Sequence, residues 1–195
     1  MRKLVVSEFV SLDGVMEDPG GAEGFDRGGW AFKFDRGPDG DQFKLDEVLE
    51  SDVLLLGRVT YQGFAAAWPT VTDEVGFADK MNGMAKVVAS TTLQNPEWNN
   101  STVVKDHVPQ AVLDLKRQSG GNILVAGSRT LVHTLMEHRL IDEYRLMVFP
   151  IVLGSGKRLF PDSADPTGLE LVDSKTVGGG IAILIYTPAT KETAT

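Results

Sequence analysis

Two short runs of uninterrupted apolar residues govern what this chain can fold into. Val53-Leu54-Leu55-Leu56 and Ile123-Leu124-Val125-Ala126 have strand length and no polar alternation, so each needs cover on both faces. Each run breaks off into a glycine-bearing turn, Gly57-Arg58 and Gly127-Ser128-Arg129. Each turn opens a helix-like stretch, Val59 to Phe64 and Leu131 to Met136. Strand, turn and helix in that order predict parallel strands with helices on both faces.

The rest of the chain extends this pattern. Leu4 to Val10 reads as a first strand, broken by Glu8, and Lys86 to Ala89 and Thr102 to Val104 read as two more. A helix is predicted from near Pro38-Asp39 to Glu50, with Asp39 or Asp41 as its cap. Another runs from Val108 to Gln118 with Val112 and Leu115 on one face. Asp142 to Leu153 is a strand region interrupted by Pro150. Leu169–Val177 and Ile181–Thr187 flank Gly178-Gly179-Gly180, which predicts a β-hairpin. Ser11 to about Asp39 is a long stretch dense in Gly and Pro that nevertheless carries Trp30, Phe32 and Phe34, so it is read as a loop folded over something apolar. The expectation is an α/β fold: a mostly parallel central sheet, flanking helices and an antiparallel C-terminal edge hairpin. No break in composition divides it, so residues 1–195 are expected to form one domain, with Thr190 to Thr195 frayed.

Composition narrows the function. The 19 basic and 27 acidic residues give a net charge of −8, which disfavours general nucleic-acid binding. The chain has no cysteine, so disulfides, thiolate metal sites and cysteine nucleophiles are excluded. No apolar run approaches the roughly 20 residues of a membrane span. The segment Met1 to Glu8 lacks the apolar core of a signal peptide. A cytoplasmic domain without a membrane partner is expected, and His107, His133 and His138 have no partners at metal spacing.

Three strands end in small, hydroxylated or glycine-bearing turns: Gly57-Arg58-Val59-Thr60, Ser90-Thr91-Thr92 and Gly127-Ser128-Arg129-Thr130. In an open α/β sheet the ligand crevice lies beyond the carboxyl ends of the strands. Turns leading into helices offer free N–H groups and a partial positive charge, and Arg58 and Arg129 add forked donors. Together they predict a ligand with more than one phosphate. None of the turns is a G-x-G-x-x-G or Walker A loop, so the standard dinucleotide fold and the P-loop are disfavoured.

The chain resembles the dihydrofolate reductase-like superfamily, and within it the reductase domain of riboflavin biosynthesis, the C-terminal domain of the bifunctional deaminase-reductase. The matching pieces are Ser11-Leu12-Asp13-Gly14, Leu55 to Tyr61, Val88 to Leu93 and Leu124 to Leu131. Leu140-Ile141-Asp142-Glu143 and Pro150 to Gly156 match most specifically. The resemblance implies NADPH as cofactor. Gly57, Arg58 and Thr60 would lie along its pyrophosphate and adenosine side, and Ser90, Thr91 and Thr92 would meet its 2′-phosphate. Val125 and Gly127, Ser128, Arg129, Thr130 and Leu131 would cradle the pyrophosphate. Asp13 and Gly14 would lie near the nicotinamide, with the long loop as a lid. The implied reaction is hydride transfer to a pterin-like or pyrimidine-like heterocycle, as in reduction of 5-amino-6-(5-phosphoribosylamino)uracil. A free-standing dihydrofolate reductase and a non-catalytic nucleotide or pterin carrier are the alternatives. The resemblance also implies a homodimer paired through the late strands. Where the family carries paired glycines this chain has Ala126-Gly127 followed by Ser128, and deamination is ruled out because its zinc site needs cysteines.

Several assignments stay open on the residues alone. Asp41 falls where folate reductases carry an early helical acid and reads either as a proton donor or as a helix cap. Asp13 reads as an acid or as a turn former. Arg58 and Arg129 reach the cofactor or pair with nearby acids. Trp30 and Phe34 are the candidates to line a flat heteroaromatic pocket.

Overall fold

Side-chain alternation along β1 (Leu4–Ser11) sets the layers of the molecule. Leu4, Val6 and Val10 pack on one face, and Val5 and Phe9 on the other. The computed structural model describes residues 1–162 and 166–189, so the frayed end expected at Thr190 to Thr195 lies outside the described residues. After β1 come α1 (Gly37–Leu49), β2 (Ser51–Gly57), α2 (Arg58–Ala67), α3 (Phe77–Gly83), β3 (Ala85–Ala89) and β4 (Ser101–Val104). Then follow α4 (Val108–Arg117), β5 (Asn122–Val125), α5 (Arg129–Glu137), β6 (Glu143–Phe149), β7 (Leu169–Val177) and β8 (Ile181–Pro188).

The strands form one sheet in the order β4-β3-β2-β5-β1-β6-β8-β7. The first six are parallel to their neighbours, and β8 runs antiparallel to both β6 and β7. This is the α/β architecture the apolar runs predict, with the hairpin turning at Gly178-Gly179-Gly180. Helices cover both faces. Val48 of α1, Tyr61 of α2 and Met81 of α3 pack on Val5, Leu54, Leu56 and Leu124. Val112 of α4 and Leu131, Val132 and Leu135 of α5 pack on Leu4, Val6, Leu55 and Val125. Full burial of each such leucine or valine is worth roughly 1.5–3 kcal/mol relative to exposure. The chain runs from β1 to β2 over one face and from β5 to β6 over the other. The strand order therefore reverses between β5 and β1, the place where open α/β sheets form a crevice.

Two local expectations are corrected. Glu8 does not break β1: the ladder with β6 runs without a shift from Val5 opposite Glu143 to Ser11 opposite Phe149. A buried hydrogen-bond partner, described below, lets a carboxyl group sit inside the strand. Helix α1 begins at Gly37, and neither Asp39 nor Asp41 caps it. Its N-cap is Arg36 with no side-chain cap bond, while the Asp35 carboxylate accepts from the Gly37 N–H at 2.8 Å. Helix α3 went unread because seven residues give too short a window for a helical period.

The hairpin turn reaches across to the start of α1. Gly179 N–H donates to the Asp35 carbonyl at 3.0 Å. Gly178 has φ +47°, and a Cβ there would stand 2.1 Å from the Asp35 carbonyl oxygen. We expect Gly178→Ala to lower unfolding free energy by roughly 1–3 kcal/mol in chemical denaturation. Gly63→Ala, at an open position inside α2, should raise it by about 0.5–1 kcal/mol.

Candidate functional site

The turns at the carboxyl ends of β2 and β5 are built to touch. Gly57 N–H donates to Ser128 Oγ at 2.7 Å, and the Ser128 hydroxyl donates to Thr60 Oγ1 at 2.8 Å. A Cβ on Gly57 would lie 2.8 Å from Ser128 Oγ, and one on Gly127 would lie 2.9 Å from Thr60 Cγ2. Two glycines therefore permit the contact, and Gly127 also takes a left-handed φ of +86°. Because Ser128 spends its hydroxyl across the turn, it leaves α5 without a side-chain cap, and α2, whose N-cap is Gly57, has none either. The first N–H groups of both helices, which have no intrahelical acceptor, are held side by side.

The structure gives the other predicted cofactor residues definite places. Ser90 Oγ accepts the N–H groups of Thr92 (3.2 Å) and Leu93 (3.0 Å), forming a closed turn with Thr91 and Thr92 exposed. Arg58 bonds its helical neighbour Gln62 at 2.9 Å, and Arg129 Nε donates to the Arg158 carbonyl at 3.0 Å. The side chains of Val125 and Leu131 are core, so only their backbone faces the turns. Gly14 adopts φ +80°, and its carbonyl accepts from the Leu159 N–H.

Two carboxyl groups near the strand ends have opposite states. Burial alone would raise the Asp13 pKa. Bonds from the Ser11 hydroxyl (2.7 Å) and the N–H groups of Leu153 (3.0 Å) and Gly154 (2.7 Å) outweigh it and bring the pKa to about 2. An acid so stabilised as a carboxylate holds no proton to give at neutral pH. Asp13 pins the loop after β6 through these bonds. Glu8, which the sequence reading passed over as a strand breaker, is 5% exposed and accepts the Gly127 N–H at 2.9 Å. Burial pushes its pKa up to about 8, against the pull of that N–H and of Lys44, with Glu47 reinforcing the rise. The available signal was a lone acid in an otherwise apolar strand run, which must be paired or neutral if the strand is central.

A hollow beside these strand ends is lined by Phe9, Ala31, Phe34, Arg36, Asp41 and Phe149. Phe9 and Phe34 meet Phe149 edge-on at 5.2 and 6.0 Å. Arg36 lies 5.6 Å over the Phe9 ring and bonds Asp41 Oδ1 at 2.8 Å. Asp41 and Phe34 thus meet at one hollow. Trp30 does not join them: it is fully buried behind, packing on Phe149 at 5.4 Å and donating to the Glu17 carbonyl. The loop over this region is tied down. Leu12 N–H donates to the Ile151 carbonyl, Met16 N–H to the Lys157 carbonyl, and Arg27 to the Leu153 carbonyl.

The model of the RibD C-terminal domain matches residues 2–183. The chain belongs to this family. It is 28% identical to "Uncharacterized protein YyaP" of Bacillus subtilis over 95% of this chain and 94% of that one. It is 29% identical to "Uncharacterized protein YwjB" of the same organism over 93% and 96%. The solved structure named "Putative riboflavin biosynthesis protein" from Shewanella sp. PV-4 superposes with a TM-score of 0.76 at 20% identity, over 96% of this chain and 99% of that one, a likeness of fold. Among the described residues no helix is long and apolar enough to cross a membrane.

Removing the hydroxyl that joins the two turns leaves the Gly57 N–H and Thr60 without their partner. Ser128→Ala should therefore cost about 1–3 kcal/mol in urea unfolding. In a double-mutant cycle with Thr60→Val the two changes should add to less than their sum.

Proposed function

We propose that this member of the RibD C-terminal domain family is a cytoplasmic, NADPH-dependent reductase that transfers hydride to a pterin-like or pyrimidine-like heterocycle. One observation carries the reading: two uncapped helix N-termini lie stapled together at the carboxyl ends of β2 and β5, next to the reversal of strand order between β5 and β1. The N–H groups opening α2 and α5, with Arg58 and Arg129 in the same turns, suit two linked phosphates. The exposed Ser90-Thr91-Thr92 turn at the end of β3 suits a further phosphate. When bound, NADPH supplies the hydride.

The chain's own residues bind, orient and exclude water. Phe9, Phe34 and Phe149 offer apolar surface to a flat ring. Arg36 and Asp41 offer a donor and an acceptor to the ring's polar edge. Of the two acids singled out in the sequence, Asp41 borders this hollow, so the substrate-facing role, as an acceptor to the ring's polar edge, is proposed for it.

The test is thermal denaturation with NADPH, NADH, FMN, ATP and dihydrofolate, followed by NADPH oxidation with candidate heterocycles. NADPH at about 100 times its Kd should raise Tm by roughly 5–10 °C and exceed NADH. Arg129→Ala should weaken NADPH and NADH binding alike, about tenfold, the size of one charge-assisted hydrogen bond at an exposed site, because both nucleotides carry the linked phosphates. Asp41→Asn should lower turnover. No loss for either nucleotide removes the phosphate role of Arg129, and binding without oxidation by any heterocycle favours a carrier. Turnover of dihydrofolate that antifolates block favours a folate reductase.

A homodimer is also proposed. Edge strand β7 carries Leu171 and Val172, 50% and 60% exposed, on a nine-residue strand with a register shift between Leu171 and Asp173. Exposed apolar residues on a long edge strand favour pairing with a second copy. Sedimentation should show a dimer that Val172→Asp dissociates; a wild-type monomer at micromolar concentration overturns this.

A further inference from the structure

Glu8 holds the backbone N–H just ahead of the start of α5. Its carboxyl, carried on β1, reaches the Gly127 N–H at 2.9 Å, and Gly127 is the residue that leads into the uncapped start of α5. We infer that Glu8 is a built-in competitor for the phosphates of the cofactor, so that the site takes its anionic ligand in company with one proton, held on Glu8. This rests on the NADPH reading above and adds a pH control to it.

The surroundings of Glu8 supply little to neutralise a carboxylate. From α1 come Lys44 and Glu47, but these are paired with each other at 2.5 Å, and Lys44 also donates to Ser7 Oγ at 2.7 Å. From β6 the register partner is Leu146, and Arg145 is turned to Glu143 and Glu50. From α5, His133 is bonded to the Leu159 carbonyl and Arg129 to the Arg158 carbonyl. From β5 comes no charged side chain. The ionised form therefore has one N–H and no dedicated cation, and its negative charge lies against the turn that would meet the phosphates. Burial holds the proton on Glu8 up to about pH 8. Below that pH the group is neutral and repels nothing. Above it the carboxylate, which keeps the Gly127 N–H, adds a negative charge that opposes the phosphates. Binding then requires uptake of one proton from solvent, RCOO⁻ + H⁺ → RCOOH, with no other bond made or broken.

The experiment is NADPH affinity by titration calorimetry from pH 6.5 to 9.5, in buffers of different ionisation enthalpy, for wild type and Glu8→Gln. In wild type the Kd should be flat below pH 8 and rise toward about tenfold per pH unit above it, with uptake of nearly one proton. Glu8→Gln, which cannot ionise, should abolish both the rise and the uptake, while the cofactor's own phosphate titration stays common to the two proteins. Parallel pH profiles for the two proteins overturn the inference and leave the cofactor reading standing. No NADPH binding at any pH overturns the cofactor reading and the inference with it. If Glu8→Gln does not fold, wild-type proton uptake decides: none above pH 8 refutes the role of Glu8.

Discussion

Insertion of β5 between β1 and β2 is the constraint on which the rest depends. The three strands are distant in sequence, yet Leu4 to Val6 pair with Ile123 to Val125, and Ser51 to Leu54 pair with Asn122 to Leu124. Seated between two strands, β5 has both of its edges paired while the helices cover its faces. Once β5 is seated there, its turn must meet the turn of β2, and the glycines at 57 and 127 let Ser128 and Thr60 close that contact. The fold and the candidate site are therefore one packing problem: what completes the core also sets two helix N-termini side by side.

The same carboxyl chemistry is driven in opposite directions within this small region. Asp13 collects a hydroxyl and two amide donors and stays ionised far below neutral pH, where it organises the loop after β6. Glu8 has one amide donor and deep burial, and keeps its proton to about pH 8. The difference is donor count against desolvation. It sorts two acids that look alike as letters into a structural anchor and a group able to respond to pH.

Much of the fold was legible because apolar periodicity and turn residues act locally. The parallel strands, the helices after Gly57 and Gly127, and the hairpin at Gly178-Gly179-Gly180 all follow from patterns a few residues long. The misses share a cause. Whether Glu8 ends a strand depends on an amide 119 residues away. Whether Asp41 caps α1 depends on where the helix starts, and it starts at Gly37, which leaves Asp41 inside it. Trp30 reads as a pocket-lining aromatic until Phe149, on the sixth strand, gives it a wall to pack on. Ser128 and Thr60 read as donors for a ligand, but the Ser128 hydroxyl donates to Thr60, which accepts it across the two turns.

By itself the sequence determined the α/β class, the parallel core, the antiparallel edge and the set of turns from which any ligand site must be drawn. Those follow from hydrophobic burial and backbone propensity, which read the nearest residues. Only the tertiary structure decided which polar groups are already spoken for, which acid keeps its proton, and which aromatics line a hollow rather than fill the core. Hydrogen bonding and desolvation depend on partners brought together by folding, and sequence distance carries no record of them.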